Sequence, residues 1–179
     1  MKNPKSFRKY SLRYSTIEGS WWAIMFGSGE TYLGAFFEFL KYTGFQISIL
    51  MTFPILIGST IQPVTSYLFH IIKSRKRMLI AFFILQSILW LCFIGVGLYA
   101  WSFTILLVLV SLYYIVAFCQ AAPWLSWMGY LVPPRIRGRY FANRLQIIMV
   151  VALFSSIVSG IILYVYSRED SFTGFAIIF

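Results

Sequence analysis

The stretch GSGETYLGAFFEFLKYTG, residues 27–44, places Glu30 and Glu38 in a segment that is otherwise almost wholly apolar. They are two of only five acidic residues in the chain. A carboxylate is costly in hydrocarbon, so an acid in such a segment is expected to face protein or a water-filled cavity. Whether the segment lies in a membrane therefore decides both the fold and the meaning of these two acids.

The composition indicates a membrane protein. Sixty per cent of the 179 residues are hydrophobic and 11% are charged, whereas soluble domains carry about 25% charged residues. Apolar runs long enough to cross a bilayer recur along the chain. The sequence therefore predicts an all-α fold, a polytopic transmembrane helical bundle that forms a single domain over residues 1–179.

The apolar runs give the predicted order of spans. A tail at 1–18 precedes them, and a sixth run ends after about eight residues, too few to cross. The predicted spans are 19–42, 45–72, 78–99, 102–122 and 145–166, followed by an incomplete sixth span at 172–179. The stretch PWLSWMGYLVPP after span 4 is either a kinked continuation of that span or a short helix in the interface.

Basic residues predict the orientation. Thirteen of the 15 lysines and arginines lie in the tail, the KSRKR loop and the RIRGRYFANR loop, and the remaining two, Lys41 and Arg168, lie on the other side. Loops rich in lysine and arginine stay in the cytoplasm. The prediction is a multi-pass protein of a cell membrane, with the lipid bilayer as its partner and a cytoplasmic N-terminus.

Other functional classes lack a signal in the sequence. The net charge of +10 follows the topology, so no nucleic-acid partner is predicted. Cys92, Cys119 and the single histidine form no metal-binding or nucleophile–base pattern. We expect a protein that is not an enzyme and that has no metal or cofactor.

Span 1 holds the principal candidates for a site. Glu30 lies about 16 Å into the span, near the bilayer midplane. In a continuous helix, Glu30, Gly34 and Glu38 share one face, beside a strip of small residues at Gly27, Thr31 and Ala35. We interpret this face as a substrate- or proton-binding site, or as a neutral glutamate that joins helices. Glu38, close to Lys41, is equally consistent with a charge at the interface.

Polar residues in the other spans allow two interpretations. Gln62, a candidate substrate- or proton-binding residue, follows Pro54 and Gly58 in a span that is either a moving gate or only curved. Gln86 and Gln120 are single polar groups that could bond across helices, and Gln120 is kept as a candidate binding residue. The serines of span 5 predict helix packing through the pairs Ser155/Ser159 and Ser156/Gly160.

Several stretches resemble the N-terminal half of a major facilitator superfamily (MFS) transporter. SYLFHIIKSRKR lies where that family has a G-x-x-x-D-R-x-G-R-R loop, and here keeps only the basic end: Arg75, Lys76 and Arg77. VPPRIRGRYFANR, with Arg137, Gly138 and Arg139, looks like the P-x-x-x-R-G segment between spans 4 and 5. EGSWWAIMFGSGETYLGAFFEFL and TFPILIGSTIQP resemble uncharacterised bacterial members.

The resemblance implies a function. It suggests a secondary active transporter of a small-molecule solute in a bacterial inner membrane, with the proton as one candidate coupling ion. Span 1 of that family lines the central cavity, and a C-terminal half would complete the protein. The chain would then be an N-terminal fragment, truncated within the sixth helix of a six-helix half. The alternative is a small multi-span scaffold or subunit that assembles with another membrane protein.

Overall fold

The computed structural model describes residues 4–65, 67, 74–99, 102–166 and 171–179. Within them the chain forms α1 (Pro4–Ser28), α2 (Leu33–Phe39), α3 (Gly44–Ile61), α4 (Arg75–Leu98), α5 (Phe103–Leu131), α6 (Arg137–Tyr166) and α7 (Ser171–Ile178), with 3₁₀ turns at Glu30–Tyr32 and Pro134–Ile136. No strand occurs in this described part of the chain. The predicted all-α fold is confirmed.

Short polar side chains set several helix ends. Thr43 and Gln46 form a reciprocal capping box at the start of α3, and the Ser74 hydroxyl accepts the Arg77 N–H at the start of α4. These bonds satisfy N–H groups that have no partner within the helix. At the end of α2, Lys41 adopts a positive φ of 63°. Tyr42 N–H then bonds Phe37 C=O, and Lys41 N–H bonds Glu38 C=O, which is the Schellman arrangement.

Four of the described helical segments are long and apolar enough to cross a membrane: Gly44–Ile61, Lys76–Leu98, Phe103–Leu131 and Pro134–Tyr166. The chain is therefore a membrane-embedded, multi-pass protein. The first predicted span is not one of the four, and its helix is interrupted after Ser28. The prediction of one helix over 19–42 is wrong for this reason.

Other predicted span boundaries also differ from the helix ends in the structure. Residues 4–18, assigned to the tail, are helical and continue directly into the apolar part of α1. PWLSWMGYL continues α5 through Pro123, so no separate interfacial helix forms there. The RIRGRYFANR loop becomes a 3₁₀ turn and the start of α6. Span 2 is helical to Ile61 in α3, while residues 68–73, including His70, lie outside the described residues.

The structure divides into two compact units, the first of which comprises residues 1–33 and 128–178. Its centre is the pair α1 and α6. Tyr140 near the start of α6 meets Leu12 in the first half of α1, and Tyr32 meets Ser156 further along. Residue numbers rise together in the two helices, so α1 and α6 run parallel. The predicted alternation of spans requires this direction for spans 1 and 5.

Small residues bring α1 and α6 close together. Ala23, Ile148 and Ala152 form a buried cluster. A Cβ added at Gly27 would overlap the Ala152 carbonyl oxygen and lie 2.9 Å from Ser155 Cβ. Ser155 Oγ donates to Ile24 C=O at 2.9 Å. The predicted packing role of the span 5 serines is confirmed for Ser155, and Gly27 has the predicted role of admitting a neighbouring helix.

The second unit comprises residues 34–127 and Phe179. A Cβ at Gly58 of α3 would lie 2.7 Å from Phe118 Cδ2 and 2.9 Å from Tyr114 O of α5, so the glycine is what allows α3 and α5 to approach. Between α4 and α5, the Trp90 ring lies 5.2 Å from the Tyr113 ring and 5.4 Å from the Phe93 ring. Close packing of small and aromatic residues therefore holds this unit together.

The α1–α6 contact predicts different effects for two glycine substitutions. Gly27→Ala forces the backbone of α6 away, so it should lower the free energy of unfolding by about 1–3 kcal/mol. Gly34→Ala is the matched control, because a Cβ there meets no atom within 4 Å, and it should be neutral or stabilising by up to about 1 kcal/mol. Unfolding of the purified protein in mixed detergent and SDS micelles measures both. Equal effects of the two substitutions would contradict the contact.

Candidate functional site

The segment Gly29–Tyr32 separates α1 from α2. Gly29 N–H still bonds Met25 C=O at 2.8 Å, but Tyr32 N–H turns to Gly29 C=O at 3.0 Å. The Leu33 N–H bonds Glu30 C=O in the same short-range pattern. The backbone therefore changes from α-helical to 3₁₀ hydrogen bonding at Glu30.

The local sequence explains the break. Gly27, Ser28 and Gly29 are poor helix formers, and the close packing of Gly27 against Ala152 excludes a larger residue there. The Thr31 hydroxyl donates to Phe26 C=O at 3.0 Å. A side chain thus satisfies a carbonyl at the end of α1, where carbonyls have no N–H partner within the helix.

Tyr32 anchors the break to α6. Its hydroxyl donates to Ser156 C=O at 2.6 Å, and it lies over Gly160, where an added Cβ would come within 2.7 Å of the hydroxyl oxygen. The space above Gly160 is therefore filled by Tyr32. This confirms that Ser156 and Gly160 belong to the packing face predicted for span 5.

The anchor also gives the depth of Glu30. Ser156 lies twelve residues beyond Arg144, the last charged residue before the apolar stretch, and ten residues before Tyr166. At about 1.5 Å per residue, Ser156 lies roughly 18 Å beyond Arg144. Since Tyr32 is level with Ser156, the break and Glu30 lie near the middle of the apolar part of the helix pair.

The three residues predicted to share one helical face do not share a helix. Glu30 is half-buried in the 3₁₀ turn, whereas Gly34 and the exposed Glu38 belong to α2. The i, i+4, i+8 arrangement is wrong because the helix does not continue through Gly29. The proposed strip of Gly27, Thr31 and Ala35 is broken at the same place.

Gln120 is a structural partner of Gln86. Its Nε2 donates to Gln86 Oε1 at 2.6 Å, and the two side chains are 8% and 4% exposed. The sequence interpretation of these glutamines as helix-joining groups is confirmed. Gln62 lies in the turn that follows α3, where its N–H bonds Gly58 C=O and its C=O accepts Thr65 N–H.

The basic motif residues belong to helices. Arg75, Lys76 and Arg77 begin α4, while Arg137, Gly138 and Arg139 begin α6. The Arg137 guanidinium donates to Gly129 C=O at 2.6 Å and Val132 C=O at 3.3 Å. It thereby caps the last carbonyls of α5, a role that favours a cation.

Arg144 has a role that sequence reasoning missed. Its Nε donates to Ser15 C=O and its Nη2 pairs with Glu18, both at 3.3 Å. The guanidinium side chain is 14% exposed and the carboxylate side chain 40%. Arg144 and Glu18 have opposite charges at the same end of spans 1 and 5, which was the available sequence signal, but assigning Arg144 to a loop concealed it.

No grouping of three metal-ligand side chains occurs among the described residues. The comparisons with known proteins add no relative: no family model, curated protein or solved structure matches the chain. The MFS resemblance and the transport function therefore stay predictions.

The anchor of the break predicts a coupled pair of substitutions. Tyr32→Phe removes one hydrogen bond and should cost about 1 kcal/mol of unfolding free energy. Gly160→Ala should cost about 1–3 kcal/mol by crowding the Tyr32 hydroxyl, yet be nearly neutral in a Tyr32→Phe background, where that oxygen is absent. SDS unfolding of the four variants measures the coupling. Additive effects would contradict the contact.

The glutamine pair predicts a second coupling. Gln120→Leu leaves Gln86 Oε1 without its donor and should destabilise the protein by about 1–2 kcal/mol. The double substitution Gln86→Leu/Gln120→Leu should be less destabilising than Gln120→Leu alone, because neither buried group then lacks a partner. The same unfolding assay measures both. A double variant that is less stable than each single one would assign these glutamines a further partner.

Proposed function

We propose that the chain is part of a membrane transporter for a small-molecule solute, an MFS-like secondary transporter of a bacterial inner membrane, with its N-terminus in the cytoplasm. The observation that carries this proposal is the position of Glu30. It lies in the break between α1 and α2, level with the middle of the apolar part of α6.

The break supports transport for a physical reason. Irregular backbone at membrane depth is tolerated only where it is buried in protein or lines a water-filled cavity. Transporter sites near the bilayer midplane are typically built from interrupted helices for this reason. An acid at such a position is a candidate for binding a substrate or a proton.

Glu30 has a defined place on a supported structure. Tyr32, two residues on, is tied to α6, and Thr31 bonds the end of α1. The carboxylate is thus attached to a backbone that neighbouring contacts hold in place, as a binding group requires. We assign Glu30 the role of solute- or proton-binding group, and Glu38 no role in transport.

Thiol labelling tests whether the break meets water. In a chain with Cys92→Ala and Cys119→Ala, Glu30→Cys should react with a small water-soluble maleimide in native membranes. Val158→Cys is the control, because Val158 is 55% exposed on an apolar helix but should face lipid, where a thiol stays unreactive. Lack of labelling at residue 30, with normal labelling of the unfolded protein, would contradict an aqueous pathway there.

Solute-induced proton uptake tests the role of Glu30. Addition of the transported solute to lightly buffered, de-energised cells that express the protein should make the medium alkaline. A panel of amino acids, sugars, nucleosides and organic acids supplies candidate solutes. Glu30→Gln should abolish the alkalinisation, whereas Glu38→Gln, the matched control, should retain it. An unchanged signal in Glu30→Gln would remove this carboxylate from coupling.

A further inference from the structure

We propose that the arginine-rich end of the first unit binds the phosphate group of an anionic phospholipid. We call this surface the basic end and define it as Arg13 of α1, Arg135 of the 3₁₀ turn and Arg139 of α6. The proposal goes beyond transport and does not depend on it. It requires only that the protein is embedded in a membrane.

A contact between helices sets the geometry of the basic end. The Tyr140 hydroxyl donates to Leu12 C=O at 3.1 Å. Arg13 follows Leu12 and Arg139 precedes Tyr140, so the two arginines lie within about 3 Å of each other along the axis of the parallel helix pair. Both side chains are exposed, as is that of Arg135. Three guanidinium groups are therefore presented at one end of one unit.

Neighbouring charges do not neutralise this end. Arg137 is bonded to the end of α5, and Glu18 is paired with Arg144. Among the residues that the structure describes, no ion pair is shown for any of the three arginines of the basic end. The first turn of α6, which contains Arg139, also has no acid, although the positive N-terminal end of a helix favours one. The surface therefore has unbalanced positive charge and strong donors for an anion.

The surroundings favour lipid as the source of that anion. Tyr10, Tyr14 and Tyr130 are 62%, 67% and 84% exposed, and amphipathic aromatic rings settle at the headgroup level. The stretch of α6 without charged residues begins at Leu145, six residues after Arg139, or about 9 Å along the helix. A phospholipid whose phosphate is held by the arginines would thus have its acyl chains beside this apolar surface. Inorganic phosphate has no acyl chains and would gain nothing from the apolar surface.

Lipid titration tests the proposal. The purified full chain in dodecyl maltoside is titrated with phosphatidylglycerol, phosphatidylcholine or inorganic phosphate, and the thermal midpoint is followed by tryptophan fluorescence. Phosphatidylglycerol should raise the midpoint, while the other two should not. Arg135→Gln/Arg139→Gln should weaken the apparent affinity for phosphatidylglycerol about 30-fold.

Two variants separate a site from a general charge effect. Lys76→Gln/Arg77→Gln removes the same charge from exposed residues at the start of α4 and should change the affinity less than about 2-fold. Arg135→Lys/Arg139→Lys keeps the charge and should restore most of the binding, which also excludes misfolding as the cause of the loss. Equal losses in both glutamine variants, equal stabilisation by inorganic phosphate, or no response to phosphatidylglycerol would each overturn the proposal.

Discussion

The contact between α1 and α6 is the interaction on which the interrupted helix depends. Backbone groups at membrane depth cannot bond water or lipid, so a chain that leaves its helix there must be supported by protein. Here the support comes from Gly27, which lets the two helices touch, and from Tyr32, which reaches across to Ser156. Without this close approach, the segment around Glu30 would lack the tertiary contact that fixes it.

Much of the fold could be predicted from the sequence, because apolar runs report directly on burial in a bilayer. The helical class, the positions of α4 and α5, and the packing role of Ser155, Ser156 and Gly160 all follow from residue type and spacing. The break at Gly29 could not be predicted from the number of apolar residues. Hydropathy indicates whether a segment lies in lipid or in water, but not whether its backbone is a continuous helix. The available signal was Gly-Ser-Gly, three weak helix formers in succession.

The start of α6 shows the opposite error. Arg137 and Arg139 lie between the apolar runs of spans 4 and 5, and the sequence prediction therefore placed them in a loop. Arginine is a good helix former, so a helix can continue well beyond the hydrocarbon. The consequence concerns the packing of α1 against α6, because Arg144 within the helix reaches Ser15 and Glu18 of α1.

The polar groups at membrane depth differ in how completely the structure accounts for them. Gln86 and Gln120 face each other across two helices, and each supplies what the other lacks, so their burial needs no ligand. Glu30 lies instead where the helix changes its hydrogen-bond pattern, and the hydroxyl bonds of Thr31 and Tyr32 hold the backbone next to it in place. A carboxylate is costly to keep in an apolar segment, so it is expected to face protein or a water-filled cavity. That difference separates Glu30 from the two glutamines: a pair of neutral amides satisfies itself across two helices, whereas a carboxylate carries a charge that an apolar segment disfavours.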